Sequence, residues 1–158
     1  GLHIYCPTWN SEIITRYDMD GGNATDFSIE GVSNLRDLAY DGTYFYGAAG
    51  DLNLKVMDLA NETLIATINP SCGGVTGIRH IAYDPTLDAG NGGLWIGNWT
   101  ELGAIDMEGN ELVSNVAGNT SCYGSAYDDS DPAHPALWLF QQIGDEKVTF
   151  LKFNFRRF

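Results

Sequence analysis

The triplet Ala-Tyr-Asp stands three times in this chain, at Ala39-Tyr40-Asp41, Ala82-Tyr83-Asp84 and Ala126-Tyr127-Asp128, with the tyrosines 43 and then 44 residues apart. A fixed period of about 40–50 residues marks a repeat array, in which each unit is one supersecondary element that buries its apolar faces only against its neighbours. The period therefore decides the fold class before any single residue is read.

Aligned on the triplet, the units share more than three letters. An aromatic run follows each one: Tyr44-Phe45-Tyr46-Gly47, Leu94-Trp95-Ile96-Gly97 and Leu137-Trp138-Leu139-Phe140. A third run closes on an Asp, as in Met57-Asp58-Leu59 and Ile105-Asp106-Met107, and a fourth is β-branched, as in Thr63–Ile68 and Glu111–Val116. Runs of about 5–8 residues bounded by Gly, Asn or Asp carry strand and turn chemistry. No segment shows a 3.6-residue apolar stripe, so helix content is expected to be very low. Four strands per unit at this period describe one blade of a β-propeller. The register divides the chain into a partial blade over residues 1–32, whole blades over 33–70 and 71–118, and a partial blade over 119–158. It predicts an all-β arc of about three and a half four-stranded antiparallel blades with about fourteen strands.

Closed propellers hold about four to eight blades, and a shorter arc leaves two blade faces and open strand edges. The expected partner is therefore the remaining blades of a longer chain, or a second copy. The first residues read as strand rather than as a cleavable leader.

Composition excludes two partner classes. Lys+Arg is 8 against Asp+Glu 21, a net charge of −13. Nucleic-acid binding needs a cationic footprint, and anionic membrane surfaces repel a chain of this sign. No apolar run reaches the roughly 18 residues of a transmembrane helix, so no membrane insertion is expected. Apolar content of 44% supplies ample core. Cys72 and Cys122 each follow a Ser in a connection leading to a first strand, which leaves a disulfide between adjacent blades and a pair of thiols both open. Cys6 lies in a strand and reads as a small core hydrophobe. Sequons stand at Asn23, Asn61, Asn98 and Asn119, where turn chemistry accounts for the same residues.

The search for chemistry is mostly negative. There is no Gly-x-Ser-x-Gly elbow, no His-Glu-x-x-His, no Cys-x-x-Cys and no phosphate-cradling glycine loop. His3, His80 and His134 occupy non-equivalent repeat positions, against a histidine metal ring. Asp128, Asp129 and Asp131 crowd one hairpin turn and offer oxygens suited to Ca²⁺, although Asp is an ordinary turn former. Arg36-Asp37 and its counterpart Arg79-His80 precede or open the innermost strand of their blades, where polar side chains can face the central channel. Two arginines from adjacent blades can grip a carboxylate or an acidic sugar; alternatively they neutralise nearby acidic residues. Trp95 and Trp138 hold equivalent positions and are expected in the core between blades. Trp99 follows its strand in Gly-Asn-Trp-Thr and is the aromatic placed to meet a ligand.

Three segments carry a resemblance. They are Arg36-Asp37-Leu38-Ala39-Tyr40-Asp41-Gly42-Thr43-Tyr44, Arg79-His80-Ile81-Ala82-Tyr83-Asp84-Pro85 continuing to Gly92-Gly93-Leu94-Trp95-Ile96-Gly97-Asn98-Trp99, and Tyr123-Gly124-Ser125-Ala126-Tyr127-Asp128 with Leu137-Trp138-Leu139-Phe140. Together they resemble the propeller-like repeat region of secreted and cell-surface proteins of Bacteroidota, of the type IX secretion cargo type. The resemblance implies export and an extracellular or cell-surface location. It carries over no catalytic residue, because the matched positions are framework ones.

The leading expectation is a non-catalytic propeller segment that supports binding or adhesion, with a glycan or a protein as ligand. The alternatives are an enzyme seated at the channel, of aminoacyl cyclase or glycan lyase or hydrolase type, and a purely structural spacer. An enzyme requires an asymmetric cluster of acid–base groups at the channel mouth, and a binding module requires exposed aromatics instead.

Overall fold

A computed structural model of the chain describes residues 2–114, 116, 121–143 and 147–154, with side chains described through residue 142. The first sheet is β1 (His3–Pro7), β2 (Ile14–Asp18) and β3 (Thr25–Phe27). The second is β4 (Asp37–Tyr40), β5 (Phe45–Ala48), β6 (Leu54–Asp58) and β7 (Thr63–Ile68). The third is β8 (His80–Asp84), β9 (Gly93–Gly97), β10 (Leu102–Ile105) and β11 (Glu111–Val113). The fourth is β12 (Cys122–Asp128), β13 (Ala136–Ile143) and β14 (Lys147–Asn154). Each sheet is an antiparallel meander in chain order, and the only helical turn among the described residues is a 3₁₀ turn over Asp88–Gly90. Among the described residues no helix is long and apolar enough to cross a membrane.

The repeat triplet has one structural meaning in all three blades. Ala39 pairs Tyr46, Ala82 pairs Trp95 and Ala126 pairs Trp138, so the following tyrosines share one register position. The Asp of each triplet then does two jobs. Its Oδ1 accepts the turn amides, from Thr43 and Tyr44 to Asp41, from Thr86 to Asp84 and from Ser130 to Asp128. Its Oδ2 accepts the polar tip of the paired aromatic: Tyr46 hydroxyl on Asp41 at 2.7 Å, and Trp95 and Trp138 Nε1 on Asp84 and Asp128, each at 3.0 Å. A buried aromatic needs a partner for its polar atom, and the turn-forming Asp supplies it. The triplet persists because one carboxylate closes the hairpin and seats the blade's largest side chain.

Two of those aromatics, Tyr46 and Trp95, lie in the cores between blades. Ile14, Ile29, Leu35 and Met57 join the first sheet to the second, with Tyr5 5.1 Å from Phe45 between ring centroids. Tyr46, Leu54, Ile78, Ile81 and Leu94 join the second to the third. Trp95, Leu102, Cys122, Leu137 and Leu139 join the third to the fourth. Trp95 is 3% exposed, whereas Trp138 points to the far face of the last sheet and is part-exposed.

Two expectations on cysteine resolve here. Cys72 and Cys122 are not joined in a disulfide, and the Cys72 Sγ lies 3.5 Å from the Val113 carbonyl it donates to. Cys6 is exposed rather than a core residue. Side chains alternate along β1, and Tyr5 takes the face against Phe27 and Phe45, which turns Ile4 and Cys6 to the uncovered face.

Because Trp95 loses both a dry environment and its bond to Asp84, Trp95→Ala is expected to lower stability by about 3–5 kcal/mol in urea denaturation. A loss below about 1 kcal/mol would show that this aromatic does not hold the third and fourth blades together.

Candidate functional site

The inner strands β4, β8 and β12 lie side by side. The innermost strand of a blade pairs on one side only, so its other edge presents backbone N–H groups that need an acceptor. Asp37 is that acceptor. Its Oδ1 takes the Leu38 N–H at 3.0 Å, and its Oδ2 takes the N–H of Ile81 at 2.9 Å and of Ser125 at 3.1 Å. Leu38, Ile81 and Ser125 each stand immediately before the Ala of their triplets. One carboxyl group thus ties the same position of three successive blades. The residue as a whole is part-exposed, yet its carboxyl is enclosed, and burial pushes its pKa up to about 7 against the pull of the three donors.

His80 occupies the repeat position of Asp37 one blade on and is fully buried. Its Nε2 lies 3.1 Å from the Asn98 carbonyl and its Nδ1 3.3 Å from Ser125 Oγ. The carbonyl only accepts, so Nε2 carries the proton and Nδ1 accepts from the serine hydroxyl. Burial pushes the His80 pKa down to about 4, and the ring is neutral near pH 7. The ring fits because Gly97 has no side chain: a Cβ there would lie 2.4 Å from His80 Nε2. Asp37 and His80, expected to meet ligand, are instead committed to joining blades.

Arg36 and Arg79, one residue earlier, are half-buried. Each is pinned by its own backbone N–H, to the Ala48 and Gly97 carbonyls at 2.7 and 2.8 Å. They line a cavity of about 620 Å³ with Trp9, Trp99, Tyr123 and Gln142. A smaller recess of about 230 Å³ opens beside Arg79 and Trp99, lined also by Gly50, Thr76 and Asn98. The Arg36 guanidinium lies 4.6 Å from the Trp9 ring centroid, and that of Arg79 lies 4.3 Å from Trp99. Tyr123 approaches Trp99 at 6.2 Å between centroids. Trp9 and Trp99 remain 58% and 46% exposed, leaving ring surface for a ligand.

Two repeat positions build this mouth. Arg36, Arg79 and Tyr123 each stand three residues before the Ala of their triplet. Trp9, Gly50, Trp99 and Gln142 each stand four residues after the second-strand aromatic, Tyr5, Tyr46, Trp95 or Trp138. Gly50, at φ +92°, leaves its seat empty, and the Arg36 side chain packs against it while stacking on Trp9 of the preceding blade. Trp9 and Gln142 escape a reading of single motifs; alignment of the partial first and last blades on the second-strand aromatic places both.

The expectation that the two arginines neutralise acidic neighbours is not met among the described residues. The described carboxylates that do meet a basic side chain do so elsewhere, Glu62 with Arg16, Asp18 with His3 and Asp131 with His134. Among the described residues Arg36 Nε is buried without a hydrogen-bond partner. Burial, and next the charge of Arg79, push the Arg36 pKa below its ordinary value.

The acidic turn lies elsewhere. Asp128 serves Ser130 and Trp138, Asp131 accepts the Ala133 amide and sits 2.9 Å from His134 Nδ1, and Asp129 is exposed in the same turn. Among the described residues no group of three or more His, Cys, Asp or Glu side chains is arranged to hold a metal ion. Of the sequons, Asn98 is engaged with Glu101 and Thr76, and Asn119 lies outside the described residues.

Asp37 and His80 impose opposite pH dependences. Between pH 3.8 and about 7 the folded chain holds a proton on Asp37 that the unfolded chain has lost, so its contribution falls as pH rises. Between about pH 4 and 6.5 the unfolded chain holds a proton on His80 that the folded chain lacks, so that contribution grows as pH rises. The two slopes cancel in the shared window. Replacing one group exposes the other: His80→Gln should make stability fall with pH relative to the native protein by about 1.4 kcal/mol per unit, and Asp37→Asn should make it rise by a similar amount. Parallel profiles for all three proteins in urea denaturation would contradict the assignment.

No family model and no curated protein matches the sequence. Among solved structures the chain is similar to the crystal structure of Myxococcus xanthus glutaminyl cyclase, with a TM-score of 0.63 and 13% identity over 88% of this chain. The match covers 63% of that structure, so this chain spans less than two thirds of its neighbour's length. At this identity the likeness is one of fold, and with the meandering sheets it establishes an all-β, propeller-like architecture.

Proposed function

We propose that this chain is a non-catalytic segment of an extracellular or cell-surface propeller that binds a ligand at the mouth built by Arg36, Arg79, Trp9 and Trp99. One observation carries the reading: a cavity of about 620 Å³, in the usual size range of ligand sites, walled by half-exposed indoles and two guanidiniums. Its lining among the described residues includes no carboxylate and no imidazole, the groups that general acid–base work requires. The chain's repeat segments, similar to those of exported Bacteroidota proteins, support the location.

The second reading, an enzyme at the channel, rests on the neighbouring fold, which carries a glutaminyl cyclase. It is tested by incubating the protein with a peptide bearing N-terminal glutamine. The binding reading expects the peptide to keep its mass, and loss of ammonia would replace it with the catalytic one.

Binding itself is tested on immobilised neutral oligosaccharides, uronate oligosaccharides and unstructured peptides. The native protein should be retained on one of these surfaces. Trp99→Ala should weaken retention at least about tenfold, the loss of a modest aromatic anchor, with an unchanged unfolding midpoint. Retention indifferent to both Trp99→Ala and Trp9→Ala would place the binding surface elsewhere, and no retention on any surface would leave the spacer reading.

A further inference from the structure

Resting on the binding reading above, we infer that the Arg36–Arg79 mouth is a receptor for a single carboxylate borne on a sugar-sized ring, an acidic monosaccharide unit such as a uronic acid. The first ground is charge accounting. The chain carries 21 acidic side chains against 8 Lys and Arg, yet the two guanidiniums at the mouth meet no carboxylate among the described residues. They are close enough for Arg79's charge to disfavour protonation of Arg36. Two cations set side by side in an acidic protein, without a counter-ion among the described residues, are an arrangement that an incoming anion relieves.

The second ground is shape. Each guanidinium lies over an indole ring, Arg36 on Trp9 and Arg79 on Trp99, a placement that restrains it and from which its N–H fork can meet a flat carboxylate. Trp9, Trp99 and Tyr123 still present aromatic surface in the same cavity, matched to the C–H face of a ring. The Gln142 amide adds a donor and an acceptor for hydroxyl groups. A chain-end carboxylate of a peptide would satisfy the arginines and leave the aromatic walls to chance, which is why the ring is favoured.

The third ground limits the charge of the ligand. A net charge of −13 repels a polyanion from a distance, while the paired guanidiniums attract within their immediate surroundings. The site therefore takes one isolated acid, at a chain end or between neutral sugars, rather than a run of them.

The experiment is an NMR titration of the native chain, following the Trp9 and Trp99 indole N–H signals. The probes are sodium glucuronate, glucose and glycylglycine at constant ionic strength. Glucuronate should shift both signals and bind at least tenfold more tightly than glucose. Arg36→Gln and Arg79→Gln should each lose at least tenfold in glucuronate affinity with their unfolding temperatures kept. Arg79→Lys should not restore binding, because it returns the charge without the planar fork. Glucose binding as tightly as glucuronate would overturn the carboxylate inference and leave the aromatic binding site standing. Glycylglycine binding as tightly as glucuronate would overturn the sugar and put a peptide terminus in its place. No shift with any probe at millimolar concentration would overturn both the inference and the reading beneath it.

Discussion

Three backbone N–H groups from three different blades end on one buried carboxyl group, and the centre of this molecule depends on that convergence. A meander that runs outward from its innermost strand leaves that strand's inner edge without a partner. A buried amide left unpaired costs about 1–3 kcal/mol, and three such edges meet here. Asp37 satisfies Leu38, Ile81 and Ser125 together. A hydrophobic contact would tolerate the blades sliding past one another, whereas hydrogen bonds at 2.9 to 3.1 Å between successive inner strands do not. The relative positions of β4, β8 and β12 are set by this group, and with them the positions of the residues one step earlier, Arg36 and Arg79.

Outward from that centre, the same economy recurs with another Asp. Asp41, Asp84 and Asp128 each close a hairpin and hold the blade's main aromatic by its polar atom. Tyr46 and Trp95 then join the aliphatic side chains that pack one sheet against the next. The acidity of the chain follows in good part from this use of carboxylates as turn and tether residues. Against that background the two arginines at the mouth stand apart, since among the described residues they are held by backbone bonds and indole faces rather than by opposite charge.

The blade architecture was legible because it is periodic. The Ala-Tyr-Asp spacing, the second-strand aromatics and the closing Asp residues all recur, and each recurrence has one local physical cause that the letters reveal. Single, non-repeated roles were not legible. Asp37 and His80 hold the same repeat position and both read as channel-facing ligand groups, yet both turn inward to serve neighbouring blades, because only the folded arrangement shows which amides lack partners. Cys6 read as core, and the uncovered face of β1 decides otherwise. The arginine pair was visible, but that no described carboxylate pairs with it is a three-dimensional fact. Trp9 was within reach: it stands in the partial first blade at the offset of Trp99, and extending the repeat alignment to that blade would have named it.

The central claim, that Asp37 joins three blades through backbone hydrogen bonds, has a direct spectroscopic readout. Scalar coupling across a hydrogen bond connects an amide nitrogen to the carbon bearing its acceptor oxygen, and it needs no mutation. In isotope-labelled native protein, the amide nitrogens of Ile81 and Ser125 should both show coupling to the Asp37 carboxyl carbon. Coupling from Ile81 alone would reduce the hub to a bond between two neighbouring blades. Its absence from both, with the two amides exchanging rapidly with solvent, would contradict the account.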